Sequence, residues 1–371
     1  LRTSHQVTMF STTSEPISNP MTMCLLDEDM RLFPDPIPSF IWRFIFPAQF
    51  TLGVLGNSLN LWVLTSDDGH NIANDLLAAV SLSDLAFLLG MAPNSLAAFD
   101  YFILSTPYRR IYLQARLCLS AFANWMSAAA IWLILAVSIE RLLVVRNPLR
   151  SKHYWSVGRR ARVLGAIFIV TGALTLYHHF EFDCEIVTFC NGTQIQHICY
   201  PATEPRPIRY GSNILVAPLP STKYFIHAIT LINAILVVFL PILFVCMLSM
   251  GLLQTLRTCA VELSGEQMTT ARMRGTTARV TVTVITIALC FSLTQGPSAV
   301  LVLIDLLIGF RGCRKQLYDL VSLANCMVVT GKTTNFLLFC LSSAHFRRKC
   351  LSVINRKGPM VSNEDVAKRI S

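Results

Sequence analysis

Charge is what this 371-residue sequence has least of: Lys, Arg, Asp and Glu together make up 14% of it. Water-soluble domains carry about 25% charged residues. A folded chain of this length exposes more surface than so few charges can cover, which excludes an ordinary soluble enzyme. An apolar share of 53% likewise excludes a disordered chain. Acids are the scarcer sign, 21 against 31 bases, for a formal net charge of +10. In so apolar a chain that surplus reads as membrane topology, because the placement of Lys and Arg orients membrane proteins. A nucleic-acid-binding patch is excluded as its explanation. Internal repeats are missing, which weighs against transporters built from duplicated halves. The first 38 residues hold no compact apolar stretch behind a basic start, so no cleavable signal peptide is expected. Residue 1 is Leu rather than Met, which leaves room for a start further upstream.

In place of charge the sequence has apolar runs. A helix needs roughly 20 mainly apolar residues to cross a bilayer. Seven stretches qualify: Ser39–Thr65, Asn74–Ala98, Gln114–Val144, Ala161–Phe180, Lys223–Leu252, Thr277–Ile308 and Gln316–Leu341. The chain therefore reads as an all-α membrane protein, a seven-transmembrane helix bundle over residues 39–341. Residues 1–38 form a tail on one side and residues 342–371 a tail on the other. Within the second tail, Ser342–Val353 reads as a short amphipathic eighth helix. It would turn Phe346, Cys350 and Leu351 to lipid and Arg347, Arg348 and Lys349 to headgroups. Cys350 is a candidate for palmitoylation, with an inert thiol as the plainer alternative. Arg43, Asp84, Arg141, Asp305 and Lys332 interrupt the spans, and ionisable groups at such depth are costly and usually paired or functional. Arg43 and Asp305 lie near span ends, where snorkelling to the interface accounts for them.

Basic residues set the orientation. The side bearing the C-terminus carries 17 in its loops and tail, and the other side carries 10 alongside an acidic N-terminal tail. The C-terminus is therefore expected in the cytoplasm and the N-terminus outside. The sequon Asn191-Gly192-Thr193 falls in the long outer loop, making Asn191 a candidate glycosylation site. Cys24, Cys118, Cys184, Cys190, Cys199 and Cys313 all face the same, oxidising side. Six cysteines allow 15 sets of three bridges, and spacing does not choose among them.

Individual residues point further. The third span ends in Ser138-Ile139-Glu140-Arg141-Leu142, followed by Asn147-Pro148-Leu149. The first holds Gly56-Asn57 and the second Leu82-Ser83-Asp84-Leu85-Ala86; the fifth and sixth carry Pro241 and Pro297. On these residues the chain resembles the rhodopsin-like G-protein-coupled receptors. The resemblance implies that Glu140 clamps Arg141 at rest and that Pro148 follows in the next loop. It implies that Asn57, Asp84 and Asn335 transmit the signal, and that Asp84 holds a sodium ion. A satisfied core carboxylate is the structural alternative. Pro297 permits the sixth helix to kink and swing outward. The cytoplasmic partner would be a heterotrimeric G protein docked against the basic second and third loops, the location the plasma membrane, and no cofactor beyond the sodium ion is expected.

The chain also departs from that pattern. Asn335-Phe336-Leu337-Leu338-Phe339 stands where the family has Asn-Pro-x-x-Tyr, so Phe339 replaces a tyrosine. The tryptophans usual in the fourth and sixth spans are missing, and Cys118 lies 23 residues before Arg141 where the family spacing is 25. Together, Ala123-Asn124-Trp125, Tyr177-His178-His179-Phe180, Thr294-Gln295-Gly296-Pro297 and Asn335-Phe336 resemble invertebrate neuropeptide receptors of the FMRFamide and myosuppressin type expanded in nematodes. That resemblance implies an extracellular peptide ligand held between the outer ends of the third, fifth, sixth and seventh helices. The candidate contacts are Asn124, His179, Glu181, Thr294, Gln295 and Asp305, with Glu181 and Asp305 facing an arginine of an amidated peptide.

Other readings are weaker. An opsin needs its lysine six residues before the motif asparagine, where Val329 stands; Lys332 is nearly a helical turn away. An amine receptor needs a carboxylate 18 residues before Arg141, where Ala123 stands. His178-His179-Phe180-Glu181-Phe182-Asp183-Cys184 has metal-ligand residue types, but no second histidine box completes an enzyme site. A chemosensory receptor for a small molecule is the nearest alternative, and a transporter a more distant one.

Overall fold

The computed structural model describes residues 23–66, 72–146, 157–208, 212, 214–262, 285–286, 288–304 and 314–342. Helix α1 runs through Pro36–Phe40, a π-turn at Ile41–Ile45 and Phe46–Thr65. It is followed by α2 (Ile72–Leu96), α3 (Thr106–Arg146) and α4 (Val157–Thr175), which tightens into a 3₁₀ turn at Leu176–His179. Helix α5 comprises Pro220–Asn233, a π-turn at Ala234–Phe239 and Leu240–Glu262. Helix α6 covers Ala288–Ile304 and α7 covers Arg314–Ser342.

Four helical stretches among the described residues are long and apolar enough to cross a bilayer: Asn74–Leu96, Thr106–Val144, Gly158–His179 and Pro220–Thr255. Ala288–Ile304 is apolar but shorter. Large apolar side chains such as Leu55, Ile169 and Leu293 stand outward and exposed, a pattern that a fold in water avoids. Their neighbours one face round are the polar groups. Asn57, Ser83, Asp84, Asn124 and Asn335 are all buried between helices.

Local sequence accounts for the irregularities. Both π-turns sit just before a proline, Pro47 in α1 and Pro241 in α5. A proline cannot donate the backbone hydrogen bond expected of it, and the widened turn absorbs the missing bond without breaking the helix. At about 1.5 Å per residue, the 41 residues of α3 extend roughly 60 Å, so it projects well beyond a 30 Å hydrocarbon core. The expected span Gln114–Val144 is therefore only the middle of a longer helix.

Two apolar clusters fill the bundle. Towards the end where α2 begins and α3 ends, Leu76 and Val80 of α2 meet Leu133 and Val137 of α3, Val245 of α5 and Phe291 of α6. Nearer the outer end, Phe46, Phe87, Met91, Ala123, Met126 and Val328 pack together. Helices α6 and α7 approach closely at Gly331, where an added methyl would overlap the Thr294 hydroxyl. Gly331→Ala is accordingly expected to destabilise the protein by about 1–3 kcal/mol. The check is a lowered melting temperature of the purified protein, largely restored when Thr294→Ala is added.

The outer face carries a β-hairpin that periodicity did not announce. Strand β1 (Phe182–Phe189) pairs antiparallel with β2 (Gln194–Pro201), in register from Phe182↔Pro201 to Phe189↔Gln194. Cys190, Asn191 and Gly192 turn the chain with φ of 50°, 53° and 87°. Asn and Gly tolerate that left-handed region, and Cys190 is held there by its bridge to Cys24. A second bridge, Cys184–Cys199, links directly opposed residues of the two strands. Of the six cysteines expected to be bridged, Cys118 is a free, exposed thiol, and Cys313 lies outside the described residues. The eighth-helix segment, including Cys350, lies outside them too.

Candidate functional site

An open cleft, about 750 Å³ with the solvent at its mouth included, is walled by α3, α4, α5, α6 and α7. Its polar wall comes from Asn124 of α3, His178 after α4, Thr230 and Asn233 of α5, and Gln295 and Ser298 of α6. The Asn233 amide is already used, donating to the Leu174 carbonyl at 2.9 Å. Two buried groups are not: the Gln295 Nε2 and the Thr230 hydroxyl have no hydrogen-bond partner among the described residues. Buried polar atoms are nearly always satisfied, so these two mark where a ligand's own polar atoms would be received.

Of the six residues expected to contact a ligand, Asn124 and Gln295 line this cavity. The other described ones do not. His179 is exposed, with Nδ1 4.0 Å from the Cys118 sulfur, and its neighbour His178 takes the wall position. Glu181 is buried against His178, whose Nδ1 is 3.1 Å from its Oε2, so an internal partner meets the carboxylate expected for a peptide arginine. Thr294 points at Gly331 and donates to the Phe291 carbonyl. Asp305 lies outside the described residues. Sequence reading missed Thr230, Asn233 and Ser298, and expected His178 only as one of the polar groups lining an outer vestibule. Their shared signal was a polar residue facing inward on an otherwise apolar helix.

The hairpin, which lies over the N-terminal end of α3 as a lid, is fastened to it by a charge rather than a sulfur. Position 116, the family spacing for the bridging cysteine, holds Arg116, and Cys118 is unbridged. Arg109, only 1% exposed, instead donates to the Ile195 carbonyl, the Met30 carbonyl (2.6 Å), the Ile103 carbonyl (3.3 Å) and the Gln196 side-chain oxygen. One guanidinium thus gathers the N-terminal segment, the first outer loop and β2 onto α3. Leu25 and Gln194 add a reciprocal pair of hydrogen bonds at 2.7 and 2.9 Å. Arg43, at the outer end of α1, meets the Ala98 carbonyl at 2.6 Å and Asp100 at 3.2 Å, as a residue snorkelling to the interface would.

His197 in β2 makes the lid sensitive to acid. Burial and the nearby Arg116 charge lower its pKa from 6.5 to about 4. An unfolded hairpin therefore takes up a proton first as pH falls. The lid's stability from a neutral His197 is full above pH 6.5 and is lost as pH falls from there towards 4. The protection of residues 182–201, measured as exchange relative to the unfolded chain at the same pH, should fall as pH drops from 6.5 towards 4, and His197→Gln should flatten that dependence.

Deeper in the bundle, Asp84 is fully buried between α2 and α7. Its Oδ1 receives the Lys332 ammonium at 2.9 Å and its Oδ2 the Asn335 amide at 2.7 Å. Lys332 lies 4.7 Å from the centre of the Phe87 ring, and its backbone carbonyl accepts from Asn57 at 3.2 Å. The sodium expectation is corrected by these contacts. The carboxylate already has a covalently tethered cation on one oxygen and a donor on the other. A sodium ion would crowd a second positive charge against the ammonium in a low-dielectric interior, so the residues do not fit one. Lys332 was weighed as a retinal-binding lysine and as part of a transporter pathway, never as the partner of Asp84; its place three residues before Asn335, on one helix face, was the available clue.

At the C-terminal end of α3, Glu140 Oε2 lies 3.3 Å from Arg141 Nε, and both side chains are buried. Neither of those two atoms has a hydrogen-bond partner among the described residues, where the pair is a contact of charges without a locked geometry. Arg160 of α4 grips Asp75 of α2 at 2.7 Å nearby. Pro148 and the side chain of Phe339 lie outside the described residues. Pro297 sits within α6, beside Ser298 of the cavity wall. The tryptophan absent from α4 has a counterpart on α3: the Trp125 indole donates to the Phe168 carbonyl at 2.9 Å.

Comparison with known proteins matches this arrangement to one family. The family model described as the serpentine type 7TM GPCR chemoreceptor Srw matches residues 46–357. A candidate G-protein coupled receptor of Caenorhabditis elegans is 30% identical over 352 residues, covering 92% of this chain and 80% of its own. Galanin receptor 2b of Danio rerio is 24% identical over 330 residues, covering 86% of this chain and 77% of that receptor. The neuromedin U receptor homolog nmur-2 of C. elegans is 33% identical over 127 residues, 33% of this chain and 29% of that one. The chain belongs to the Srw family of serpentine seven-transmembrane G-protein-coupled receptors, and is a membrane receptor rather than an enzyme.

Proposed function

We propose that this receptor sits in the plasma membrane with its N-terminus outside, binds an extracellular neuropeptide and activates a heterotrimeric G protein. The reading includes a complete rhodopsin-like seven-helix bundle, an amphipathic eighth helix and a glycan on Asn191, which is exposed at the hairpin tip. The observation that carries it is the cleft between α3, α4, α5, α6 and α7 with two polar groups unpartnered among the described residues, Gln295 Nε2 and the Thr230 hydroxyl. Below that cavity, the Asp84–Lys332–Asn335 cluster and then the Glu140–Arg141 pair form successive polar stations in an apolar bundle. A ligand that favours one packing of these helices would shift the population towards the state that admits the partner. Relatives named as galanin and neuromedin U receptors support a peptide. The FMRFamide-like refinement rests on the residues Ala123-Asn124-Trp125 and Thr294-Gln295-Gly296-Pro297.

The test is a neuropeptide library applied to cells expressing the chain, read as nucleotide exchange on co-expressed G proteins. An amidated peptide should activate it. Gln295→Ala should lower its potency about tenfold by leaving a ligand group unpaired. Arg141→Ala should remove exchange while sparing binding. No response to any peptide, with a response to a small odorant, would replace this reading by the second one. That second reading, a small-molecule chemoreceptor, is favoured by the family's description and by a wall that hydrogen-bonds without a carboxylate among its described residues.

A further inference from the structure

Past the first hairpin the chain makes a second, shorter one. Strand β3 (Arg206–Pro207) pairs antiparallel with β4 (Leu215–Val216), and the Ile208 amide donates to the Ile214 carbonyl at 3.1 Å. A two-stranded ribbon this short is marginal in water unless it lies on an apolar surface. It finds none among the described residues: Ile208, Ile214, Leu215, Val216 and Leu219 are 47–68% exposed. Such a cluster outside the helices marks an interaction surface, and its surroundings say which. Pro220, where the apolar span Pro220–Thr255 opens, follows Val216 by four positions, so β4 lies at most about 14 Å from the start of that span. The exposed apolar surface continues onto α5, through Tyr224 and Phe225 to Leu231, Ile232 and Ile235. Aromatic side chains at the end of a span belong at the membrane–water interface. Charge agrees. No Asp or Glu occurs between Glu204 and Glu262, whereas Arg206, Arg209 and Lys223 stand around the apolar residues. Arg206 ties β3 to Asp183 of β1 at 2.9 Å, and Lys223 is exposed in the first turn of α5. Apolar side chains among bases with no acid nearby suit acyl chains below and phosphates above.

We propose that the β3–β4 hairpin is a membrane-surface anchor. Ile214, Leu215, Val216 and Leu219 enter the phospholipid leaflet beside the N-terminal end of α5, and Lys223 meets the headgroup phosphates. The leaflet supplies the apolar surface that the ribbon lacks. It holds the connection between β2 and α5 to the side of the cleft rather than over it. The anchor requires neither a peptide ligand nor G-protein coupling.

The experiment places the photoreactive residue p-benzoylphenylalanine at position 215 of the full-length receptor in phosphatidylcholine nanodiscs. Irradiation is followed by intact-mass and peptide analysis. The same probe at position 191, the tip of the β1–β2 hairpin, is the control. The probe at 215 should gain the mass of one phosphatidylcholine molecule, with a yield several-fold above that at 191. Adding Ile214→Asp and Val216→Asp should lower the yield at 215 to the control level, because charged side chains resist entry into the leaflet. Lys223→Glu should lower it in part, by repelling the phosphates. An unchanged melting temperature in each variant shows that the bundle still folds, and the substituted side chains are exposed, so folding is expected to survive. Four results would each overturn the proposal. One is a lipid yield at 215 no greater than at 191, and another a yield that survives both aspartates. A third is an adduct with the mass of a second receptor, which would make the hairpin a self-association surface. The last is a cross-link within the chain to residues of the cleft, which would make it a cover for that cleft.

Discussion

Lys332→Met should leave little folded receptor. The substitution removes the ammonium and strands the Asp84 carboxylate, which is fully buried and keeps only the Asn335 amide. Breaking a buried ion pair by deleting one partner costs about 3–5 kcal/mol, against a total stability of roughly 5–15 kcal/mol for a folded protein. Asp84→Leu should be comparably damaging, because it leaves the ammonium with only the Phe87 ring at 4.7 Å. The double variant Asp84→Leu/Lys332→Met should recover most of the loss, since apolar pairs often replace buried ion pairs at little cost. Melting temperature and surface expression measured across the four proteins complete a double-mutant cycle. The same contacts make a second outcome definite. Exchanging sodium for choline at constant ionic strength should not shift the stability or ligand affinity of the natural chain. A sodium-dependent shift would show that the ammonium does not occupy the carboxylate as described.

Arg109→Ala should open the lid. Its guanidinium serves four acceptors from three separate segments, all within a buried outer core. The disulfides do not substitute for it. Cys184–Cys199 lies within the hairpin and Cys24–Cys190 ties the hairpin to the N-terminal segment, so neither reaches α3. Hydrogen bonds from a charged group contribute about 1.5–3 kcal/mol, and carbonyls left without donors add to the loss, so about 3 kcal/mol is expected. The loss should be local. Hydrogen exchange should rise across residues 182–201 and 25–32, while the cluster around Leu133 and Val137 stays protected. Arg109→Lys should recover little, because an ammonium keeps the charge without the planar fork that meets several carbonyls at once. Uniform exposure of all helices would instead mean that Arg109 supports the whole bundle.

How far these features were legible follows from the range of the forces involved. Apolar runs mark helices because each residue must cover its own backbone from lipid, and that requirement is local. The expected spans accordingly overlap the described helices, apart from the portions of the sixth outside the described residues. The hairpin was missed because neither strand alternates cleanly, with Ile195, Gln196, Ile198 and Cys199 all buried in the second, and because disulfides and a sequon drew the reading of that loop instead. Asn124 and Gln295 were found among the cavity residues, while His178 was displaced by its neighbour His179. Adjacent residues differ by about 100° around a helix axis, and only the 3₁₀ turn at Leu176–His179 decides which one faces inward.

What the sequence determined by itself was the class: a chain with 14% charge and long apolar runs must place its helices in a membrane, and Asp84, Arg141 and Lys332 must then be answered for within it. What only the tertiary structure decided was who answers whom. Asp84 and Lys332 are 248 positions apart, and Arg109 and Gln196 are 87 apart. No local pattern encodes such pairings, because the energy that makes them arises only when packing removes water from both partners together.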